Sequence, residues 1–118
     1  MSVISKKYFG SKEFLKVYCE LIKAAQQRKT IYYEDIARIM KLPTRGDHMA
    51  KEVGQILGEI SECEHNQGRP LLSAIVIRKD TGMPGEGFFK LARQLNKFQG
   101  QDEQNFWKNE LQAVYGTW

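Results

Sequence analysis

The residues best equipped for chemistry gather around one break in the chain. Tyr33, Arg45, His48, Lys51 and Gln55 flank the turn Leu42-Pro43-Thr44-Arg45-Gly46, and Arg78 and Lys79 recur in a later turn. Cations and amide or hydroxyl donors in such a set suit phosphate oxygens and base edges, not bond-making. Other reactive types are sparse. Ser73 lies in an apolar run, where a serine is ordinarily a small buried residue. A nucleophilic serine needs a base within hydrogen-bond reach, and the two histidines, His48 and His65, are not spaced for it, so hydrolase chemistry is not expected. Cys19 and Cys63 lack metal-ligand spacing, and Cys63 with His65 is not the repeated pair of a structural zinc site. No metal and no cofactor are expected, and both thiols read as reduced. Gly85-Glu86-Gly87 precedes a helix and could cradle an anion. It is not a Walker pattern, however, and Glu86 opposes an anion, so a tight return of the chain is the plainer reading.

The elements that must position these residues follow from periodicity. A helix starting near Tyr33 carries Ile36, Ile39 and Met40 inward. Pro43 disfavours helix in the residue before it, and Gly46 frees the backbone, so the helix ends there. Asp47 stands where an N-cap belongs, and Met49, Val53, Leu57 and Ile60 form one apolar stripe behind it. Two helices around a short turn are the core of a helix-turn-helix, and equally of any packed helical pair. Before this pair, Ser11 caps a helix reaching about Gln27, with Phe14, Val17, Tyr18, Leu21 and Ala25 as its stripe. Residues 28–32 are a loop with at most one pair of strand residues. After the pair, which ends near Cys63, residues 64–68 form a loop. Pro70 to Ile77 is short, apolar and β-branched at its end, which favours a buried strand. The tract Gly82-Met83-Pro84-Gly85-Glu86-Gly87 can only be irregular backbone or a strained second arm of a hairpin. Phe88, Leu91, Ala92 and Leu95 mark a further helix. Asp102 caps a last one, in which Trp107, Leu111, Val114 and Tyr115 align.

With 118 residues the chain suits one domain with a real core. No apolar run approaches the length of a membrane span, and residues 1–14 have no apolar segment of secretory-signal length. A cytoplasmic protein without membrane contact is the expectation. The formal charge is +4, and its placement matters more than its size. Residues 1–29 carry seven Lys or Arg against two Glu, whereas residues 47–64 carry Lys51 against Asp47, Glu52, Glu59, Glu62 and Glu64. Acids on a helix that must face phosphates cost affinity. This helix therefore presents a suitable front and an unsuitable rear.

The order helix, helix, helix, strand, turn, second arm, helix is that of a winged helix, and the expected class is α+β. It comprises a winged-helix-like three-helix body with a small β-hairpin and an extra C-terminal helix. The divisions are a basic lead-in over residues 1–12, the winged-helix-like domain over 13–95, and a linker with a C-terminal amphipathic helix over 96–118. Within this order, Phe14 to about Leu95 resembles the C-terminal domain of alkylguanine-DNA alkyltransferases and of the non-catalytic alkyltransferase-like proteins. Phe14-Leu15-Lys16-Val17-Tyr18 with Leu21 is similar to that domain's first helix. Tyr33-Glu34-Asp35-Ile36-Ala37 is similar to its Tyr-x-x-Leu-Ala helix. Ala50-Lys51-Glu52-Val53-Gly54-Gln55-Ile56-Leu57 is similar to its recognition helix, and Pro70 to Leu95 follows its order of strand, glycine-rich turn and helix. About two-thirds of the chain is covered. The resemblance implies a winged helix, with Lys51 where the family places the arginine that replaces a flipped base, and Tyr33 where it places a tyrosine near the phosphate. The family's reactive Pro-Cys-His-Arg is missing. Leu72, Ser73, Ala74 and Ile75 hold the nearest positions, which excludes suicidal alkyl transfer. The tract from Gly82 to Phe89 also departs from the family.

The expected function is therefore a non-catalytic nucleic-acid-binding module, with duplex DNA favoured, acting through Tyr33, Arg45, His48, Lys51, Gln55, Arg78 and Lys79. The alternative is a protein-interaction adaptor or homodimer that uses Phe106, Trp107, Tyr115 and Trp118 of the last helix, since unpacked aromatics mark contact surfaces.

Overall fold

Helix α1 (Lys12–Gln26) begins the ordered body of the computed structural model, which describes residues 2–118. The Ser11 hydroxyl accepts the Phe14 N–H at 3.1 Å, capping a helix whose buried face is Phe14, Val17, Leu21, Ala24 and Ala25. Strand β1 (Ile31–Tyr32) leads directly into α2 (Tyr33–Ile39). There the Asp35 carboxylate reaches back to the Tyr32 N–H at 3.1 Å, satisfying a first-turn donor. The turn after α2 ends on Gly46, whose φ of 96° is left-handed and favours glycine. Gly46 is itself the N-cap, and Asp47 is the first residue of α3 (Asp47–Asn66) instead of its cap. The stripe Met49, Val53, Leu57 and Ile60 is buried against α2 and the other helices. Helix α3 also runs beyond Cys63 to Asn66, taking in the first three of the five residues expected to form a loop. Its last turn has a tertiary anchor. Glu64 is fully buried, accepts the Tyr18 hydroxyl, and receives two bonds from the Arg69 guanidinium at 2.7 and 3.0 Å.

The apolar run after Pro70 is not one strand. It forms a 3-10 turn (Leu72–Ile75) and then a two-residue strand, β2 (Val76–Ile77). Residues 71–76 are all buried, with α1, α3 and α5 packed on the 3-10 turn. Such a run cannot be told from other buried backbone by periodicity. The expected β-hairpin is absent among the described residues. Instead β2 pairs in parallel with β1, Ile31 opposite Val76 and Tyr32 opposite Ile77. The intervening α2 and α3 supply the crossover that parallel pairing needs. The glycine- and proline-rich tract after β2 makes no ladder. The Arg78 N–H bonds the Met83 carbonyl and the Gly82 N–H bonds the Arg78 carbonyl, both at 2.9 Å, so the chain curls into a loop. These residue types have little strand propensity.

Helix α4 (Glu86–Gln94) buries Phe88, Phe89, Leu91 and Ala92. Helix α5 (Glu103–Thr117) is capped by Asp102, which accepts the Asn105 N–H at 3.0 Å. It packs on the 3-10 turn through directed bonds as well as apolar contact. The Trp107 indole donates to the Ala74 carbonyl at 2.8 Å, and buried Glu110 accepts the Leu71 N–H at 2.7 Å while pairing with Lys97 at 2.6 Å. The radius of gyration, 13.0 Å, is near the roughly 13.5 Å of one compact domain of this length. Among the described residues the fold is five α-helices around a central core with two very short parallel strands. None of the helices is long and apolar enough to cross a membrane.

Candidate functional site

The outward face of α3 decides what this molecule can present. By helical spacing, His48, Lys51, Glu52, Gln55, Glu59 and Glu62 share that face. Sequence reasoning left its acids open to solvent, but they are buried. Residues 2–9 lie across the rear of α3 as an arm, and the glutamates are its anchor points. Glu59, only 2 % exposed, accepts the backbone N–H groups of Lys7, Tyr8 and Phe9 at 2.9 to 3.1 Å. Glu62 accepts the Ser2 hydroxyl at 2.5 Å and the Val3 N–H at 2.6 Å. Glu52 pairs with the Lys7 ammonium at 2.5 Å and accepts the Tyr8 hydroxyl. These bonds hold the Glu52 carboxyl below the ordinary carboxylate range, with Lys7 the larger cause. Burial, reinforced by Glu52, pushes the Tyr8 phenol up to about 12. A carboxylate that accepts several N–H groups has its charge compensated locally.

The arm also accounts for Gly58. A Cβ there would lie 2.6 Å from Ile4 Cδ1, so the bare helix backbone is what lets Ile4 settle. Gln55, expected to face a nucleic acid, is taken up by the arm as well. Its amide donates to the Ser5 carbonyl at 2.6 Å and to Glu59 at 2.8 Å.

In front of the arm, Arg45, His48 and Lys51 are exposed at the start of α3. Beside them opens a cavity of about 590 Å³. Met49, Leu57, Phe88 and Leu91 supply its apolar walls, Gly54 and Gly58 its open side along α3, and Arg45, Arg78, Lys79, Glu34, Asp80 and Glu86 its charged rim. Tyr33 lines it and is locked in place, because its hydroxyl accepts the Gly85 N–H at 2.7 Å. Burial raises its phenol above the ordinary value. Ser73 also lines the cavity, with its N–H bonded to the Ser61 hydroxyl at 3.0 Å and the two hydroxyls 2.6 Å apart. His48 and His65 are not among the lining residues. Arg78 is paired with Asp80 at 2.7 Å, and the Lys79 ammonium sits 5.2 Å from the centre of the exposed Tyr32 ring. Of the expected site residues, Tyr33, Arg45, Arg78 and Lys79 therefore meet around one cavity. His48 and Lys51 lie outside it on the exposed face of α3, and Gln55 bonds the arm.

The aromatic residues of the C-terminal helix are half-buried against the body. Phe106 stacks on Phe98 with centroids 4.6 Å apart, Trp107 is bonded to Ala74, Arg28 lies 6.0 Å from the Tyr115 ring centre and Arg69 lies 5.6 Å from that of Trp118. Cys19 and Cys63 are free thiols, and burial raises the Cys63 thiol. No group of three or more metal-ligating side chains occurs among the described residues.

Sequence reasoning missed the arm, the Ser61–Ser73 pair, and the role of Gly54 and Gly58. Two glycines four apart inside a helix were the available signal, since such residues ordinarily have a packing or functional reason. The chain matches no family model, no curated protein sequence and no solved structure.

Proposed function

We propose that this protein is a non-catalytic nucleic-acid-binding module of winged-helix type, with duplex DNA as the preferred partner. The observation that carries the reading is the meeting of Tyr33, Arg45, Arg78 and Lys79 around one cavity, with His48 and Lys51 exposed on the first turns of α3. Cationic side chains around a concave surface fit a phosphate backbone. The objection from the acidic rear of α3 is removed by the arm that covers it.

The three helices α1, α2 and α3 pack on one another, and in chain order the loop from Arg78 to Gly85 takes the place of the expected hairpin. The resemblance to the alkyltransferase-like proteins supports one refinement. Lys51 would enter the gap left by a base turned out of the duplex, and the neighbouring cavity has room for that base against Phe88 and Met49. Lys51 keeps the charge of the family's arginine without its planar fork. No bond is made or broken in this scheme. The Ser73 hydroxyl is engaged with Ser61, and neither histidine lines the cavity.

The test is an electrophoretic shift with a short duplex over a salt series. Wild-type protein should bind with a steep salt dependence. The double variant Arg45→Ala, Lys51→Ala should bind about tenfold weaker, with a slope shallower by up to ~2. Unchanged affinity and slope in that variant would mean that the front of α3 does not face the duplex.

A further inference from the structure

We propose that residues 2–9 are an electrostatic part of the nucleic-acid interface: they convert the acidic rear of α3 into a surface a polyanion can approach. This rests on the nucleic-acid reading above. Glu52, Glu59 and Glu62 share the outward face of α3 with His48 and Lys51, so whatever docks on the front passes close to all three. They are between 2 and 5 % exposed, and the arm is bonded to each of them. Six bonds from arm backbone or hydroxyl donors reach Glu59 and Glu62, and Lys7 with Tyr8 closes on Glu52.

The packing is specific to this arrangement. Ile4 rests on the bare backbone of Gly58, and Gln55 ties the Ser5 carbonyl to Glu59. The outer side of the arm carries cations. Lys6 and Lys7 are exposed, with Lys6 lying 4.5 Å from the Phe9 ring centre. Seating the arm thus buries three anions, engages Lys7 with Glu52 and displays Lys6 along the edge of the same face. An arm with only a packing role would need apolar contact, not a carboxylate at each step. Acids hidden under donors neither repel phosphate nor compete with it for Lys51.

Five proteins in the same DNA shift assay decide the matter: the full chain, a variant lacking residues 2–9, that variant with Glu52→Gln, Glu59→Gln and Glu62→Gln, the full chain with the three glutamines, and the full chain with Lys6→Ala and Lys7→Ala. Circular dichroism establishes that each is folded. The variant without the arm should bind the duplex at least ~10-fold weaker, since three uncovered anions then face the phosphates. The glutamines should recover most of that loss, to within about threefold of a full chain carrying Lys6→Ala and Lys7→Ala, yet leave the full chain's own affinity nearly unchanged. Full-strength binding without the arm overturns the proposal and leaves the DNA reading standing. So does failure of the glutamines to restore binding in a folded protein without the arm. Absence of binding by the unaltered chain overturns both. If the variant without the arm does not fold, Ile4→Gly with Tyr8→Ala in the full chain, which removes the arm's seat beside Gly58 and its hydroxyl bond to Glu52, takes its place with a loss in the same direction and the same recovery.

Discussion

Ser61 and Ser73 form one of the few polar contacts in the core. Ser61 is fully buried, and its hydroxyl serves both the Ser73 N–H and the Ser73 hydroxyl. Ser61→Ala therefore leaves a buried backbone donor without its partner and should cost about 1–3 kcal/mol, measured by urea denaturation. Ser73→Ala removes only a hydroxyl and should cost less, so equal losses would show that the Ser73 N–H is satisfied elsewhere. Glu110 is the corresponding carboxylate at the other side of the 3-10 turn. It is buried, accepts the Leu71 N–H and holds Lys97. Glu110→Ala should destabilise the fold by about 3 kcal/mol, because it strands a largely buried ammonium as well as an N–H. A change below ~1 kcal/mol in the same assay would show that water replaces the pair. At this scale the sequence was readable in type but not in pairing. A serine in an apolar run is expected to be buried, whereas its bond to a serine twelve residues earlier depends on how α3 lies against the 3-10 turn.

At the scale of elements, α3 behaves as two segments. Its front is open and cationic, and its rear is a ladder of carboxylates for the arm. The arm should respond to pH with a definite sign. Glu52 is held below the ordinary carboxylate range, so its contribution is present above the unfolded pKa of about 4.3 and is lost as pH falls through the lower folded value. Lys7 and Tyr8 face it from the arm, and His48 lies on its own helix. Tyr8 works in the opposite sense. Its phenol is raised to about 12, so its contribution is complete below the usual tyrosine value near 10 and disappears as pH rises through about 12. The protection factors of the residue 7–9 amides should therefore be high at neutral pH and should fall below about pH 4, as Glu52 releases the Lys7 and Tyr8 side chains and loosens the arm, ahead of those of α3. Exchange that stays uniform down to global unfolding would mean that the arm and α3 open together. The helices themselves were legible from apolar stripes at the helical period, and α1 and α5 add a capping side chain, Ser11 and Asp102. The hairpin was not legible. Two strands of two residues each leave no alternation to read, and their partner relation is set by how α2 and α3 fold between them.

At the scale of the whole molecule, α5 is part of the core's enclosure. It covers the 3-10 turn, buries Val114 and Glu110, and stacks Phe106 on Phe98. Truncation at residue 101 would therefore test folding instead of partner capture, and the melting temperature should fall sharply. A partner that docks on α5 would meet exposed Lys108, Asn109 and Gln112 beside the half-buried Phe106, Trp107, Tyr115 and Trp118. The distribution of charge follows the same logic. The anions of α3 are met by donors far away in sequence, Lys7 at Glu52 and backbone N–H groups at Glu59 and Glu62, and the front of α3 retains its positive character.

Helix positions, the break at Pro43 and Gly46, the buried faces and the membership of Tyr33, Arg45, Arg78 and Lys79 in a polar set were determined by the sequence alone. Those features depend on local sterics and on periodic burial, which neighbouring residues express directly. The parallel strand pair, the cavity beside α3 and the burial of Glu52, Glu59 and Glu62 beneath residues 2–9 were decided only in three dimensions. Each joins segments some thirty to sixty residues apart. A carboxylate has the same identity whether water or a backbone N–H satisfies it, and only the folded chain shows which does.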